Sequence, residues 1–233
     1  KHFHFIQRSI ASKGYLEVIT WSFANEKINN HFLNLKSSCK IINPISSDLG
    51  VLRSSIFSNL VEKIRENIDR GENNISLFEI GPIFEGKKPG EQSTSACGIS
   101  AGLATNPNWN EKERLLDVFD VKRDLLHTLE ELGTSKDQLI IQTVNLPNYY
   151  HPGKSGNISF SNNPNSYFAS FGELHPNIIN QLDVKTNSLV GFELNLDKYL
   201  LLKEQIRKPK ISYEFSEYQK SERDFAFIVD KKI

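Results

Sequence analysis

The chain has 233 residues, of which 38% are hydrophobic and 24% charged, with 28 Lys+Arg balanced by 28 Asp+Glu. This is the composition of an ordinary soluble globular protein, long enough for one large domain or one domain and a piece of a second at roughly 150 residues per domain. Zero net charge excludes a global field that would draw the molecule onto nucleic acid or an anionic membrane, and no apolar run approaches the roughly 20 residues needed to span a bilayer.

Phe3, Ile6 and Ile10 recur at helical spacing, and Gly14 stands where a C-terminal cap belongs. The β-branched and aromatic run from Tyr15 to Phe23 then predicts a strand. Asn25 is placed to cap a short helix carrying Ile28, Phe32 and Leu33. A strand is expected from Cys39 to Ile42, followed by turn-forming residues from Asn43 to Asp48. Leu60, Val61, Ile64 and Ile68 mark one face of a helix that stops at Gly71.

The stretch from Ser76 to Gly86 places two apolar runs around Gly81-Pro82 and reads as a strand that kinks and continues. An exposed loop is expected from Lys87 to Ser95 and a central strand from Ala96 to Ala104. Asp120 is the expected cap of a helix with Val121, Leu125, Leu129 and Leu132 inward and Gly133 as its stop. Strands are predicted at Gln138 to Val144, Gly156 to Phe160, Tyr167 to Leu174 and Ser188 to Leu196, with short helices starting at Pro176 and Asp197. The sum is an α+β domain built on antiparallel sheet. Residues 203–213 read as a basic linker, and Arg223 to Asp230 as one strand of something the chain does not complete.

The chain carries no convincing catalytic motif. His151-Pro152-Gly153-Lys154-Ser155-Gly156 contains Gly-Lys-Ser, but Asn148 stands where a phosphate loop needs its first glycine, and a Pro-Gly turn accounts for the segment. His151 and His175 have no Asp, Glu or second His at metal-sharing spacing and read as structural. Glu79, Glu85 and Glu173 form no predictable acid–base pair, and ion pairing is their expected role. Cys39 and Cys97 are isolated, which predicts two reduced, inert, partly buried thiols in a cytoplasmic protein. No nucleophile elbow, metal cluster or cofactor loop is found, so catalytic, metal and cofactor-binding residues are all expected to be absent. The start at Lys1 and the lack of any methionine read as a fragment of a longer protein.

Several short segments together carry a resemblance: Gly14 to Val18, Asn43 to Ser47 with Leu52 to Ser55, Leu77 to Phe84, Phe119 to Lys122, His151 to Ser155, Gly172 to Pro176, Gly191 to Leu194 and Ser221 to Ala226. In this order they resemble the β subunits of bacterial phenylalanyl-tRNA synthetases over nearly the whole chain. The resemblance implies a class II aminoacyl-tRNA synthetase-like module at 1–202 that has lost activity. At 214–233 it implies the start of an incomplete ferredoxin-like anticodon-binding domain. Leu77 to Phe84 resembles motif 2, whose following arginine stabilises the ATP α-phosphate, yet Glu85 stands there. Gly191 to Lys198 resembles motif 3, where Glu193 and Asn195 intrude on the nucleotide's place and Lys198 replaces a stacking arginine.

The family further implies an α2β2 heterotetramer with a catalytic α subunit, tRNA(Phe) as the whole enzyme's substrate, and ATP and Mg2+ as cofactors of that whole enzyme rather than of this fragment. The helix bearing Phe3, Ile6 and Ile10 and the following strand with Trp21 resemble motif 1, which implies a subunit interface there. Two rival readings remain: a ligase that itself activates an amino acid with ATP, and a free-standing tRNA-binding module, against which the neutral charge argues.

Overall fold

The structure, a computed structural model, describes residues 2–33, 39–105, 108–110, 112–206, 215 and 217–231. Helix α1 (His2–Ala11) turns Ile6 and Ile10 inward, and Gly14 closes the turn behind it with φ 92°. The strand expected from Tyr15 to Phe23 is instead two short pieces in different sheets, β1 (Leu16–Glu17) and β2 (Phe23–Ala24). Between them only Val18 N–H still reaches β5, at the Phe78 carbonyl, while Thr20 N–H and the Trp21 carbonyl bond to the Glu79 and Asn59 side chains. Asn25 caps α2 (Glu26–Asn29) as expected, accepting the Lys27 N–H at 3.0 Å. β3 (Cys39–Lys40) is shorter than expected and joins β2 and β4 (Val51–Leu52) in a three-stranded sheet ordered β2-β4-β3.

Helix α3 (Phe57–Ile68) starts one turn earlier than its apolar face suggested and buries Phe57, Leu60, Val61, Ile64 and Ile68. The long hairpin β5 (Ile75–Phe84) and β6 (Gln92–Ala101) corrects two expectations. Its pairing runs from Ile75↔Ala101 to Phe84↔Gln92 without a register shift, so Gly81-Pro82 does not interrupt the strand, and the loop ends at Glu91 rather than Ser95. Pro82 is tolerated because its polar edge faces away from β6: its carbonyl accepts from Arg53 Nε at 2.9 Å, and Phe84 N–H on the same edge donates to the Arg53 carbonyl.

The cap of α4 (Val118–Glu131) is Asp117, not Asp120; Asp120 sits three residues in and accepts the Asp117 N–H, completing a capping box. β7 (Leu139–Gln142) follows, then β8 (Tyr150–Phe160), which absorbs the segment expected to be a Pro-Gly turn as a register irregularity between Tyr150 and Ser155. β9 (Ala169–Leu174), α5 (Pro176–Gln181) and β10 (Leu189–Asn195) come next. α6 (Leu196–Gln205) starts one residue before Asp197, is capped by Asn195, and takes in residues 203–205 of the expected linker, whose stretch 207–213 lies outside the described residues. Residues 217–231 form no strand, and Phe225, Phe227 and Ile228 are exposed.

Among the described residues the main sheet has seven strands in the order β1-β5-β6-β10-β9-β8-β7, antiparallel except for the β1–β5 pair. Both faces are covered. Phe78, Ile80, Val190, Phe192 and Leu194 pack with Ile6, Ile10, Val121, Leu125, Leu129 and Tyr199 from α1, α4 and α6. Leu77, Cys97, Ile99 and Leu189 pack with Phe57, Leu60 and Ile64 of α3, with Phe32 and with Tyr149. Residue alternation along the strands separates these two cores.

Candidate functional site

On the α3 face, the cross-strand register aligns Glu79, Cys97, Glu193, Ser170 and Asn157 in one row across β5, β6, β10, β9 and β8. The next row toward one end of the sheet is Gly81, Ser95 and Asn195. The apolar core therefore gives way to a polar floor. Over that floor opens a cleft of about 760 Å³, walled by Tyr149, Tyr167, Phe168, Ile83 and Phe84 and bordered by the start of α6. All four residues singled out as departures from working motifs, Glu85, Glu193, Asn195 and Lys198, line this one cleft.

Each is already engaged. Glu193 accepts short hydrogen bonds from the Ser55 and Tyr149 hydroxyls. Burial pushes its carboxyl above the usual glutamate range, and the two hydroxyls oppose that shift. The same burial pushes the Tyr149 phenol up. Glu85 was expected in an ion pair, but it accepts from Ser93 Oγ at 2.5 Å and from Asn195 Nδ2 at 3.3 Å instead. Lys198 Nζ sits 5.0 Å from the Tyr167 ring centroid; burial lowers its pKa, and the Glu85 charge works the other way. Asp197, at the rim, accepts the Thr94 N–H at 2.7 Å. Gly191 in the motif 3-like strand serves packing: a Cβ there would lie 2.6 Å from the Phe57 ring and 2.8 Å from the Gly98 carbonyl.

Beside the cleft Glu79 makes the ion pair expected of it, with a partner, Arg53, that the sequence did not identify. Arg53, 1% exposed, pairs with Glu79 at 2.7 Å, and its guanidinium also reaches Thr20 Oγ1 and the Pro82 carbonyl. The second Glu79 oxygen accepts from Thr20 Oγ1 at 2.6 Å and from its backbone N–H at 3.3 Å. Gly81 is needed here for room rather than for unusual backbone angles, because a Cβ would stand 2.4 Å from Arg53 Nη2.

The remaining candidates resolve simply. His151 Nδ1 accepts the Gly153 N–H at 3.1 Å within the irregular stretch of β8, and His175 Nδ1 accepts the Asn177 N–H at 3.2 Å as the cap of α5. Lys154 pairs with Glu173 at 2.7 Å. Cys97 is buried with its thiol pKa pushed well up, and Cys39 is partly buried; both are free thiols. Among the described residues no group of three or more His, Cys, Asp or Glu is placed to hold a metal, and no helix is long and apolar enough to cross a membrane. Of the four residues expected at a subunit interface, Ile6 and Ile10 are buried in this chain's own core, whereas Phe3 and Trp21 are exposed.

A family model described as "Phenylalanyl tRNA synthetase beta chain CLM domain" matches residues 1–196. The phenylalanine–tRNA ligase beta subunit of Paramagnetospirillum magneticum is 39% identical over 225 residues, covering 97% of this chain and 28% of that protein. The corresponding subunit of Rhodospirillum rubrum is 37% identical over the same shares. The chain thus spans little more than a quarter of the length of these relatives. Among solved structures, a pyrrolysyl-tRNA synthetase from Desulfitobacterium hafniense superposes with a TM-score of 0.63 at 15% identity, over 88% of this chain and 68% of that one. That likeness shows a class II synthetase fold and no more.

Two outcomes follow from the site's electrostatics. Arg53→Met leaves the Glu79 carboxylate buried without its cation and should cost about 3–5 kcal/mol in urea unfolding; the double change Arg53→Met with Glu79→Leu should recover much of it. For Glu193, a raised folded-state pKa means that the native state holds its proton more tightly than the unfolded chain. The unmodified chain should therefore lose stability relative to Glu193→Gln as pH rises from the ordinary glutamate pKa through the raised one. A difference that is flat between pH 4 and pH 8 would contradict this.

Proposed function

The chain belongs to the phenylalanyl-tRNA synthetase β-chain family, and from that premise we propose that it is a non-catalytic structural module of the β subunit of a cytoplasmic phenylalanine–tRNA ligase. In this reading it supports assembly with the catalytic α subunit in an α2β2 enzyme that charges tRNA(Phe), and ATP and Mg2+ are handled elsewhere in that enzyme. The supporting observation is the charge of the cleft. Glu85, Glu193 and Asp197 line it with Lys198 as the single cationic side chain among its lining residues, and that ammonium is set on the Tyr167 ring. Amino-acid activation accumulates negative charge on the ATP phosphates, which needs cations aimed at it. The nearby guanidinium of Arg53 is unavailable, being locked to Glu79 in the interior. The zero net charge favours a module that leaves RNA contact to other parts of the enzyme.

The docking face is revised by burial. Aspartate at Ile6 or Ile10 would place a charge inside the core and unfold the module rather than report on a partner. Exposed apolar side chains stand instead on the segment between β1 and β2, where Ile19 is 91% and Trp21 67% exposed. That segment is fixed by Val18 N–H to the Phe78 carbonyl, by the Thr20–Glu79 bonds and by Asn59 Nδ2 to the Trp21 carbonyl. A rigidly presented tryptophan is the kind of anchor that dominates interfaces.

The rival reading, a module that activates an amino acid by itself, predicts ATP–pyrophosphate exchange; the expected result for the purified chain is none above background. Ile19→Ala with Trp21→Ala should weaken capture of the α subunit, measured by light scattering of the mixed proteins, at least tenfold with the fold intact. Undiminished capture would move the interface elsewhere.

A further inference from the structure

Assembly with a partner subunit leaves one side chain of the cleft without a task, the amine of Lys198. Lysines elsewhere in the chain are held by acceptors. Nζ of Lys63 and Lys154 lies 2.8 and 2.7 Å from the Glu66 and Glu173 carboxylates, and Lys203 bonds to the Leu132 carbonyl. Lys198 has no such anchor: among the described residues its Nζ makes no hydrogen bond and no carboxylate stands within ion-pair reach. Instead the half-buried side chain opens into the cleft of about 760 Å³, with its Nζ 5.0 Å from the Tyr167 ring centroid. A ring face attracts a cation but fixes no proton on it.

The surroundings favour the neutral amine. Asn195 accepts the Lys198 N–H at 2.9 Å as the cap of α6, which puts the lysine in the first turn of that helix. There the positive end of the helix dipole works against an ammonium. Burial lowers the Lys198 pKa as well, and the Glu85 charge at the end of β5 is the opposing influence. Of the other carboxyl groups along the cleft, Glu193 on β10 is occupied by the Ser55 and Tyr149 hydroxyls, and Asp197 accepts the Thr94 N–H. A lysine desolvated in this way presents a lone pair at neutral pH and becomes a nucleophile toward carbonyl carbon.

We propose that Lys198 is a carbonyl-modification site, its Nζ condensing reversibly with a small uncharged aldehyde whose apolar body lies along Phe84, Tyr167 and Leu201. These three line the cleft without being buried, so they offer surface to a short chain. The carboxylates of Glu85 and Asp197 disfavour an aldehyde that carries a negative charge. In the reaction the amine lone pair forms the C–N bond and the carbonyl oxygen takes up a proton. The resulting carbinolamine loses that oxygen as water and the nitrogen its proton, leaving C=N, with no oxidant or reductant consumed. The inference goes beyond the assembly role and needs no α subunit.

The test incubates the purified chain with butanal and cyanoborohydride, which reduces the imine to a stable secondary amine, and reads the rate at each lysine by peptide mass spectrometry between pH 6 and pH 9. The exposed Lys87 and Lys88 serve as references. At pH 7 Lys198 should be labelled about fivefold or more faster than either, with its rate levelling off at a lower pH than theirs. With 4-oxobutanoate, an aldehyde of the same chain length that carries a carboxylate, Lys198 should lose this lead. Glu85→Gln, which removes the charge that holds the ammonium, should raise the Lys198 rate with butanal about two- to threefold, circular dichroism showing that the variant is folded. In 8 M urea the preference should vanish. Parity of Lys198 with Lys87 and Lys88 in rate or in pH profile overturns the proposal. So does an equal lead with both aldehydes, a slower Glu85→Gln variant, or a preference that survives in urea.

Discussion

The ion pair between Arg53 and Glu79 is the joint on which the two sheets meet. Arg53 follows β4 of the small sheet, and Glu79 stands in β5 of the large one; their side chains are 1% and 5% exposed at a separation of 2.7 Å. Two charges withdrawn from water in this way are tolerated when further hydrogen bonds support the pair. Here they do: one Glu79 oxygen takes Arg53 Nη1 and the other takes Thr20, while Nη1 also bonds to Thr20 and Nε to the Pro82 carbonyl. Much of the local sequence is explained by this requirement. Gly81 supplies the room, Pro82 supplies an acceptor while giving up an N–H that no neighbouring strand needs, and Thr20 ties the crossing segment down.

The consequence for function is a division of the α3 face. Where α3 covers the sheet, Leu77, Ile99 and Leu189 make an apolar core with Phe57 and Leu60. One row further on, the strands present Glu79, Cys97, Glu193 and Ser170, and the covering helix is replaced by a cleft. A synthetase-type fold that handles ATP needs cations at such a place. This one keeps its guanidinium inside the protein and lines the open space with carboxyl groups and aromatic rings. The surface that the joint holds rigid, from Val18 to Ser22, is directed outward with Ile19 and Trp21 exposed. Scaffold and cleft are thus two products of one arrangement of charge.

Much of this was legible in the sequence. Helical spacing placed α1, α3 and α4, because an amphipathic helix must repeat its apolar residues whatever it packs against. Glycine stops at Gly14, Gly71 and Gly133 were found because the positive φ they adopt is a local property. The departures at Glu85, Glu193, Asn195 and Lys198 were visible as residue types that do not suit a triphosphate, and they do converge on one cleft. Boundaries fared worse: the cap of α4 proved to be Asp117 rather than Asp120, since several adjacent side chains are able to cap and tertiary packing selects one.

By itself the sequence determined the α+β class, the family likeness, the helix faces and the glutamate that follows Phe84, all of which are read from short local patterns. The tertiary structure alone decided that Arg53 meets Glu79, that Ser55 and Tyr149 hold Glu193, and that Ile6 and Ile10 face inward while Trp21 faces out. The reason is one of range: local periodicity shows that a residue is on a face, but which partner that face meets is fixed by strand register and helix docking between segments far apart in the chain. Ser55 and Glu193 are 138 positions apart, and no local pattern links them.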